Sequence, residues 1–265
     1  METEGRKKTC QTICLQGVAG GAGTTTIAVN LASELSGSRT HGRLDVCLID
    51  LDIQFGAVAS HLRLPLRDFK HELVDSTDLP VRAEIPTRFP HGKSKLSALT
   101  AYSELVPLEL ISEKSIKRLI STFEPMFDCV IIDLPRAVFS WTNAILDIAD
   151  IFYIVTLSDT RSEQNVTKLI HAIHAERISI NNIRLIINYS SSHPDSKDKK
   201  RAKHLASKFS QSIVTILPYG GKSVRQANDK GETLRQFSPL NPMRRKIKNL
   251  ASSILEQPTY IKSSE

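Results

Sequence analysis

The sequence predicts an α/β fold, a mostly parallel central sheet of about seven strands with helices on both faces. The runs "TICLQG" at 12–17, "DVCLIDLD" at 45–52 and "DCVIIDLP" at 128–135 are nearly continuous apolar sequence with glycine or aspartate at or near the end. A strand covered on both faces and closed by a loop reads this way. Between such runs lie segments of helical spacing, and regular alternation of strand and helix calls for parallel strands joined by right-handed crossovers. A chain of 265 residues, 40% apolar and 24% charged, is long enough to bury the core this arrangement needs.

Taken in order, residues 1–8 read as a flexible N-terminus, 9–256 as a single domain and 257–265, "QPTYIKSSE", as a loose tail. The strand at 12–17 leads through "GGAG" into the helix "TTIAVNLASELS" at 25–36, and the strand at 45–52 follows. Residues 65–95 mix prolines and charges with little periodicity, as a surface excursion does. Next come the strand "LSALTA" (96–101), the helix "SEKSIKRLISTF" (112–123) and the strand at 128–135. Trp141 is expected to pack beside a helix that follows it. The strand "IFYIVT" (151–156), the helix "SEQNVTKLIHAIHAE" (162–176), the strand "RLIINY" (184–189), the helix "AKHLASKFSQ" (202–211) and the strand "SIVTILP" (212–218) complete the alternation. The segment "NPMRRKIKNLASSILEQ" at 241–257 is a basic amphipathic helix with Met243, Ile247, Leu250 and Ile254 on one face, suited to packing on the sheet or to lying on a membrane surface.

Composition excludes several classes. No apolar run approaches the roughly 20 residues of a membrane-spanning helix, and the start has no apolar segment of the signal-peptide kind. The expected location is cytoplasmic. Cys10, Cys14, Cys47 and Cys129 show no metal-like spacing and read as reduced core residues. The net charge of +7 collects partly in "RKK", "KDKKRAKH" and "RRKIK". These are solvated faces or a footprint for DNA or anionic lipid, but no aromatic residues interleave them as a stacking platform requires. His171 and His174, three apart on a helix, read as solvated or helix-packing.

The stretch "GVAGGAGTTT" at 17–26 is either a phosphate-binding loop without its lysine or a glycine-rich turn. A phosphate loop follows a strand, opens a helix and uses glycines so that successive backbone N–H groups converge on an anion. The context fits, yet Thr24 stands where the motif has lysine, and no lysine occurs between Thr9 and Phe69. The strand ends at "LIDLD" and "IIDLP" decide in favour of a site. They bring Asp50, Asp52 and Asp133 to the same sheet edge as the loop, and carboxylates beside a glycine loop and a threonine suit a magnesium–nucleotide complex.

The phrases "GGAGTTTIAVNLA", "VCLIDLDIQFGAVASHL" and "FDCVIIDLPRAVFSWTNAILDIADIFYIVTLSDTRSEQN" resemble the MinD/ParA group of P-loop NTPases with deviant Walker loops. Within it they are most similar to the CpaE/TadZ branch associated with assembly of Tad-type pili. The resemblance runs from about 9 to 255 and implies ATP and Mg2+ as ligands. By position, the amides of Gly20, Gly21, Ala22, Gly23, Thr24, Thr25 and Thr26 cradle phosphates. Thr25, Asp52 and Asp133 hold Mg2+, Asp50 stands near an attacking water, and Asn188 and Pro218 contact adenine. The family's two lysines correspond to Ala19 and Thr24 here. Losing one charge-assisted hydrogen bond costs about 1.5–3 kcal/mol in binding, whereas one well-placed arginine in phosphoryl transfer contributes about 10³- to 10⁵-fold in rate. The implied protein therefore binds ATP but hydrolyses it weakly or not at all, unless Arg136 or Arg161 supplies a cation. It would act as a homodimer and localisation or scaffold protein with pilus secretion machinery, recruited to the inner membrane or cell pole. The alternative is an active MinD/ParA-type positioning ATPase working on DNA or membrane.

Overall fold

The computed structural model describes residues 10–38, 43–67, 86–90, 94–175, 182–188, 200, 203–205, 207 and 212–256. Within them the chain forms β1 (Gln11–Gly17), α1 (Thr24–Ser36), β2 (Val46–Asp50), α2 (Val58–Leu62), β3 (Thr87–Arg88), β4 (Leu96–Leu99), α3 (Glu113–Phe123) and β5 (Cys129–Leu134). It continues through α4 (Thr142–Ile148), β6 (Ile151–Thr156), α5 (Thr160–Ala175), β7 (Ile183–Asn188), β8 (Ser212–Leu217), α6 (Lys222–Lys230), α7 (Leu234–Phe237) and α8 (Pro242–Leu255).

The strands make one eight-stranded sheet in the order β3-β4-β2-β5-β1-β6-β7-β8. All pairings are parallel except that of β3 with β4. The seven expected strands are present. The eighth, β3, is a two-residue edge strand in the region expected to be a surface excursion, and two residues carry no periodicity to read. Most of that excursion, both termini and most of the expected 202–211 helix lie outside the described residues.

Because side chains alternate along a strand, each central strand feeds two cores. Ile13, Leu48, Ile131 and Tyr153 pack with α1 and α8, while Cys14, Ile49, Ile132 and Phe152 pack with α3, α4 and α5. That two-sided burial is why the strands read as unbroken apolar runs rather than alternating ones. Cys14, Cys47 and Cys129 sit inside β1, β2 and β5 as free thiols, and burial pushes each one up, so they remain protonated. Trp141 is 1% exposed and stacks on Phe139 with ring centroids 5.2 Å apart. His171 and His174 are exposed on α5.

The apolar stripe of α8 is buried: Met243, Ile247, Leu250 and Ile254 lie against α1 and β8. Asn241 caps the helix by accepting the Met243 amide at 2.9 Å. A partly buried ion pair ties α8 to α1 within this layer, Arg244 Nε donating to Glu34 Oε1 at 2.7 Å with Arg235 Nη1 3.7 Å from Oε2. The face that a membrane-lying helix would insert is therefore covered by protein. Among the described residues no helix is long and apolar enough to cross a membrane.

Candidate functional site

β1 lies between β5 and β6, but the chain leaves it through α1 to reach β2 on the far side of β5. Connections thus diverge from the carboxyl end of β1, the place where open α/β sheets take ligands. Residues 17–26 occupy that end. The Val18 amide donates to the Val155 carbonyl at 3.1 Å and the Ala22 amide to the Ala19 carbonyl at 3.2 Å, closing a turn. Gly21 and Gly23 have φ of 73° and 81°, left-handed backbone that glycine adopts without penalty. Gly23 is the N-cap of α1 and offers no side chain to the free first-turn amides. Gly20 and Gly21 are exposed, Ala22 is buried, and Gly23, Thr24, Thr25 and Thr26 are half-buried. Thr24, at the position of the missing lysine, folds back on the strand end, where a side chain on Gly17 would collide with its hydroxyl.

Beneath the loop, strand register sets Asp50 beside Asp133. Asp133 is 2% exposed; the Thr25 hydroxyl hydrogen-bonds its carboxylate, while Oδ2 is buried without a partner. Burial pushes Asp133 up to about 7, with the Thr25 bond opposing and Asp52 adding to the shift. Asp50, expected beside an attacking water, is fully buried, its Oδ2 accepting the Val58 amide at 3.0 Å and its Oδ1 the Asp52 amide at 3.2 Å. Burial and the neighbouring Asp133 raise its pKa well above the usual carboxylate range. Asp52 is half-buried and raised by burial, against the pull of the Phe55 amide.

Among the described residues no three His, Cys, Asp or Glu side chains form a metal cage. Mg2+ does not require one, since it keeps waters and binds through one or two carboxylates together with phosphate oxygens. Carboxylates whose ionised forms are disfavoured by burial and by each other, one with an orphaned oxygen beside a hydroxyl, are the chemistry a divalent cation would satisfy. The residues present therefore fit a magnesium–nucleotide complex.

At the carboxyl edge of β7 and β8, Asn188 pairs in register with Leu217, so Asn188 and half-buried Pro218 stand close together. The Asn188 carboxamide also braces the loop, donating to the Ala22 carbonyl at 2.9 Å. Other braces escaped sequence reasoning because their partners are distant in the chain. Asn165 Nδ2 donates to the Val18 carbonyl at 2.8 Å. His61 Nδ1 donates to the Ala57 carbonyl at 2.8 Å, leaving Nε2 to accept from the Thr26 hydroxyl at 3.2 Å, and burial lowers the imidazole's pKa. Gln16, 1% exposed, donates through Nε2 to the carbonyls of Pro135 and Ala137 at 3.1 and 3.4 Å. Its sequence signal was available: a lone amide closing an apolar strand just ahead of the loop. Of the two candidate cations, Arg136 lies against the loop at Gly20, and Arg161 lines an open cleft of ≈ 650 Å³ together with Arg136 and Val18.

A family model described as "AAA domain" matches residues 10–186. No curated protein matches the sequence significantly. Among solved structures, a chain of the MinC:MinD cell division protein complex of Aquifex aeolicus is 18% identical, with 97% of this chain and 100% of that one covered at a TM-score of 0.73. The septum site-determining protein MinD of Pyrococcus horikoshii OT3, complexed with Mg-ADP, is 15% identical, with 97% and 100% covered and a TM-score of 0.73. A ParA family ATPase from Chlorobium tepidum TLS is 18% identical, with 91% and 98% covered and a TM-score of 0.68. At these identities the likeness establishes the shared fold.

Proposed function

The chain belongs to the AAA domain family, and on that premise we propose that it is a magnesium–nucleotide-binding protein of the MinD/ParA type that binds ATP and hydrolyses it slowly or not at all. The observation that carries the reading is Asp133: a buried carboxylate bonded by Thr25, with an unpartnered oxygen, directly below a loop whose Gly21 and Gly23 are left-handed. The amides of Gly20, Gly21 and Gly23 through Thr26 would bind a phosphate chain, that of Ala22 being spent on the Ala19 carbonyl, and the α1 dipole favours its negative charge. Thr25, Asp133 and Asp52 would hold Mg2+, which when bound neutralises phosphate oxygens. Asp50 holds the turn to Val58 through its two amide bonds, and so positions Asp52. Asn188 and Pro218 would flank the adenine. Slow turnover follows from Ala19 and Thr24, which leave the loop without the ammonium groups that stabilise charge in phosphoryl transfer.

In this reading the protein works through assembly and location. The resemblance to the CpaE/TadZ branch supports a scaffold role in Tad-type pilus assembly as a homodimer that contacts the secretion machinery. Because Ala19 cannot reach across an interface, the dimer depends only weakly on ATP.

Calorimetric titration of the purified chain with Mg·ATP, beside radiolabelled hydrolysis, tests the proposal. A ligand at about 100 times its Kd stabilises by about 2.7 kcal/mol, so saturating Mg·ATP should raise the melting temperature by roughly 5–11 °C for a chain of this size. Asp133→Asn should fold and lose most of that rise. Absence of any Mg·ATP binding sinks the reading, and turnover matching lysine-bearing relatives sinks the claim of weak hydrolysis. Co-purification of secretion components with the tagged protein tests the pilus assignment.

A further inference from the structure

We propose that Arg136 is the cation that holds the nucleotide phosphates for binding, replacing the affinity but not the rate contribution of the two lysines this loop lacks; the inference rests on the nucleotide reading above, weak hydrolysis included. Ala19 and Thr24 occupy the lysine positions, and the hydroxyl of Thr24 is turned back against Gly17. Any protein cation at the phosphates therefore comes from elsewhere in the fold. Arg136 follows the strand that carries Asp133, separated from it by Leu134 and Pro135. Its Nη1 lies 3.4 Å from where a methyl group on Gly20 would stand, so the guanidinium rests on the exposed rim of the loop.

The placement is built into the strand ends. Gln16, the residue before Gly17, donates to the carbonyls on either side of Arg136, at Pro135 and Ala137. One buried amide thus pins the backbone of Arg136 to the strand that launches the loop, and Pro135 narrows the backbone freedom just before it. The Arg136 side chain is exposed and makes no hydrogen bond or ion pair among the described residues. Its fork of donors is therefore uncommitted, and a planar guanidinium binds phosphate oxygens in bidentate fashion. Arg161 and Lys168 line the same cleft from α5 and raise its positive potential, but it is Arg136 that lies against Gly20.

The test measures Mg·ATP and Mg·ADP affinity of the full chain by isothermal titration for the wild type, Arg136→Ala, Arg136→Lys and Arg161→Ala. Arg136→Ala should weaken Mg·ATP binding by about 10- to 100-fold, within the range of one charge-assisted hydrogen bond. Arg136→Lys should recover part of that loss, and Arg161→Ala should change affinity by less than about 3-fold. The melting temperature of nucleotide-free Arg136→Ala should match the wild type, because the side chain it removes has no partner. If the wild type binds Mg·ATP and Arg136→Ala binds it within about 2-fold, the assignment of Arg136 is overturned while the nucleotide site stands. A fall in nucleotide-free melting temperature that accompanies lost affinity would also overturn it, by showing a structural role. A wild type that binds no Mg·ATP removes both proposals together.

Discussion

Gly23→Ala separates two costs that the loop geometry keeps distinct. The φ of 81° at Gly23 is left-handed, which costs an L residue about 1–2 kcal/mol. The new methyl would also stand 2.7 Å from Nδ2 of Asn188, so that carboxamide must surrender its 2.9 Å bond to the Ala22 carbonyl. That bond is worth about 0.5–1.5 kcal/mol net. The sum, about 1.5–3.5 kcal/mol, corresponds to a melting temperature lowered by roughly 3–14 °C for a chain of this size. Gly21→Ala isolates the first cost, because its φ is 73° and nothing lies within 4 Å of the added methyl. Differential scanning calorimetry of both variants, alone and combined with Asn188→Ala, forms a double-mutant cycle. Gly23→Ala should cost more than Gly21→Ala in the wild-type background, and the excess should vanish once Asn188 is truncated. Equal costs in the wild-type background, or an excess that survives in Asn188→Ala, would refute the assignment of Asn188 as a brace on the loop.

Two further outcomes follow from buried polar contacts. His61 is held neutral by burial, with its pKa lowered from 6.5. Between the folded and unfolded pKa values the unfolded chain binds more protons, so the stability His61 contributes is fully present above about pH 6.5 and is lost as pH falls below it. In thermal melts across this range, the advantage of the wild type over His61→Gln should shrink on acidification; a constant difference would remove His61 from the pH response. Glu34, 3% exposed, faces Arg244 and Arg235. Glu34→Ala should cost about 1.5–3 kcal/mol in urea denaturation, since it removes the charge-assisted bond from the half-buried Arg244, whereas a loss under about 1 kcal/mol would show that the α1–α8 joint rests on apolar packing alone.

Much of the fold was legible because each central strand announces its own burial. A strand buried on both faces must be apolar at nearly every position, and "CVIIDL" and "IFYIVT" meet that condition as they stand, each of their six residues being buried. The elements that went unread are short or polar. Helix α2 has five residues, β3 has two, and α6 buries only Ala227, so none repeats an apolar spacing long enough to register.

The sequence by itself determined the sheet, the two helical layers and the identity of the loop as a strand-to-helix turn rich in glycine, since all of these depend on residue spacing within one segment. It also put aspartates at the ends of the strands that would flank that loop. What only the tertiary structure decided is how those groups meet: that Asp133 keeps an unpartnered buried oxygen, that Asp50 spends both of its oxygens on amides, and that Gln16 anchors the turn bearing Arg136. The difference is physical. A strand's burial is recorded residue by residue along the chain, but a hydrogen bond between residues more than 100 positions apart exists only once β1 and β5 have paired and brought their ends together.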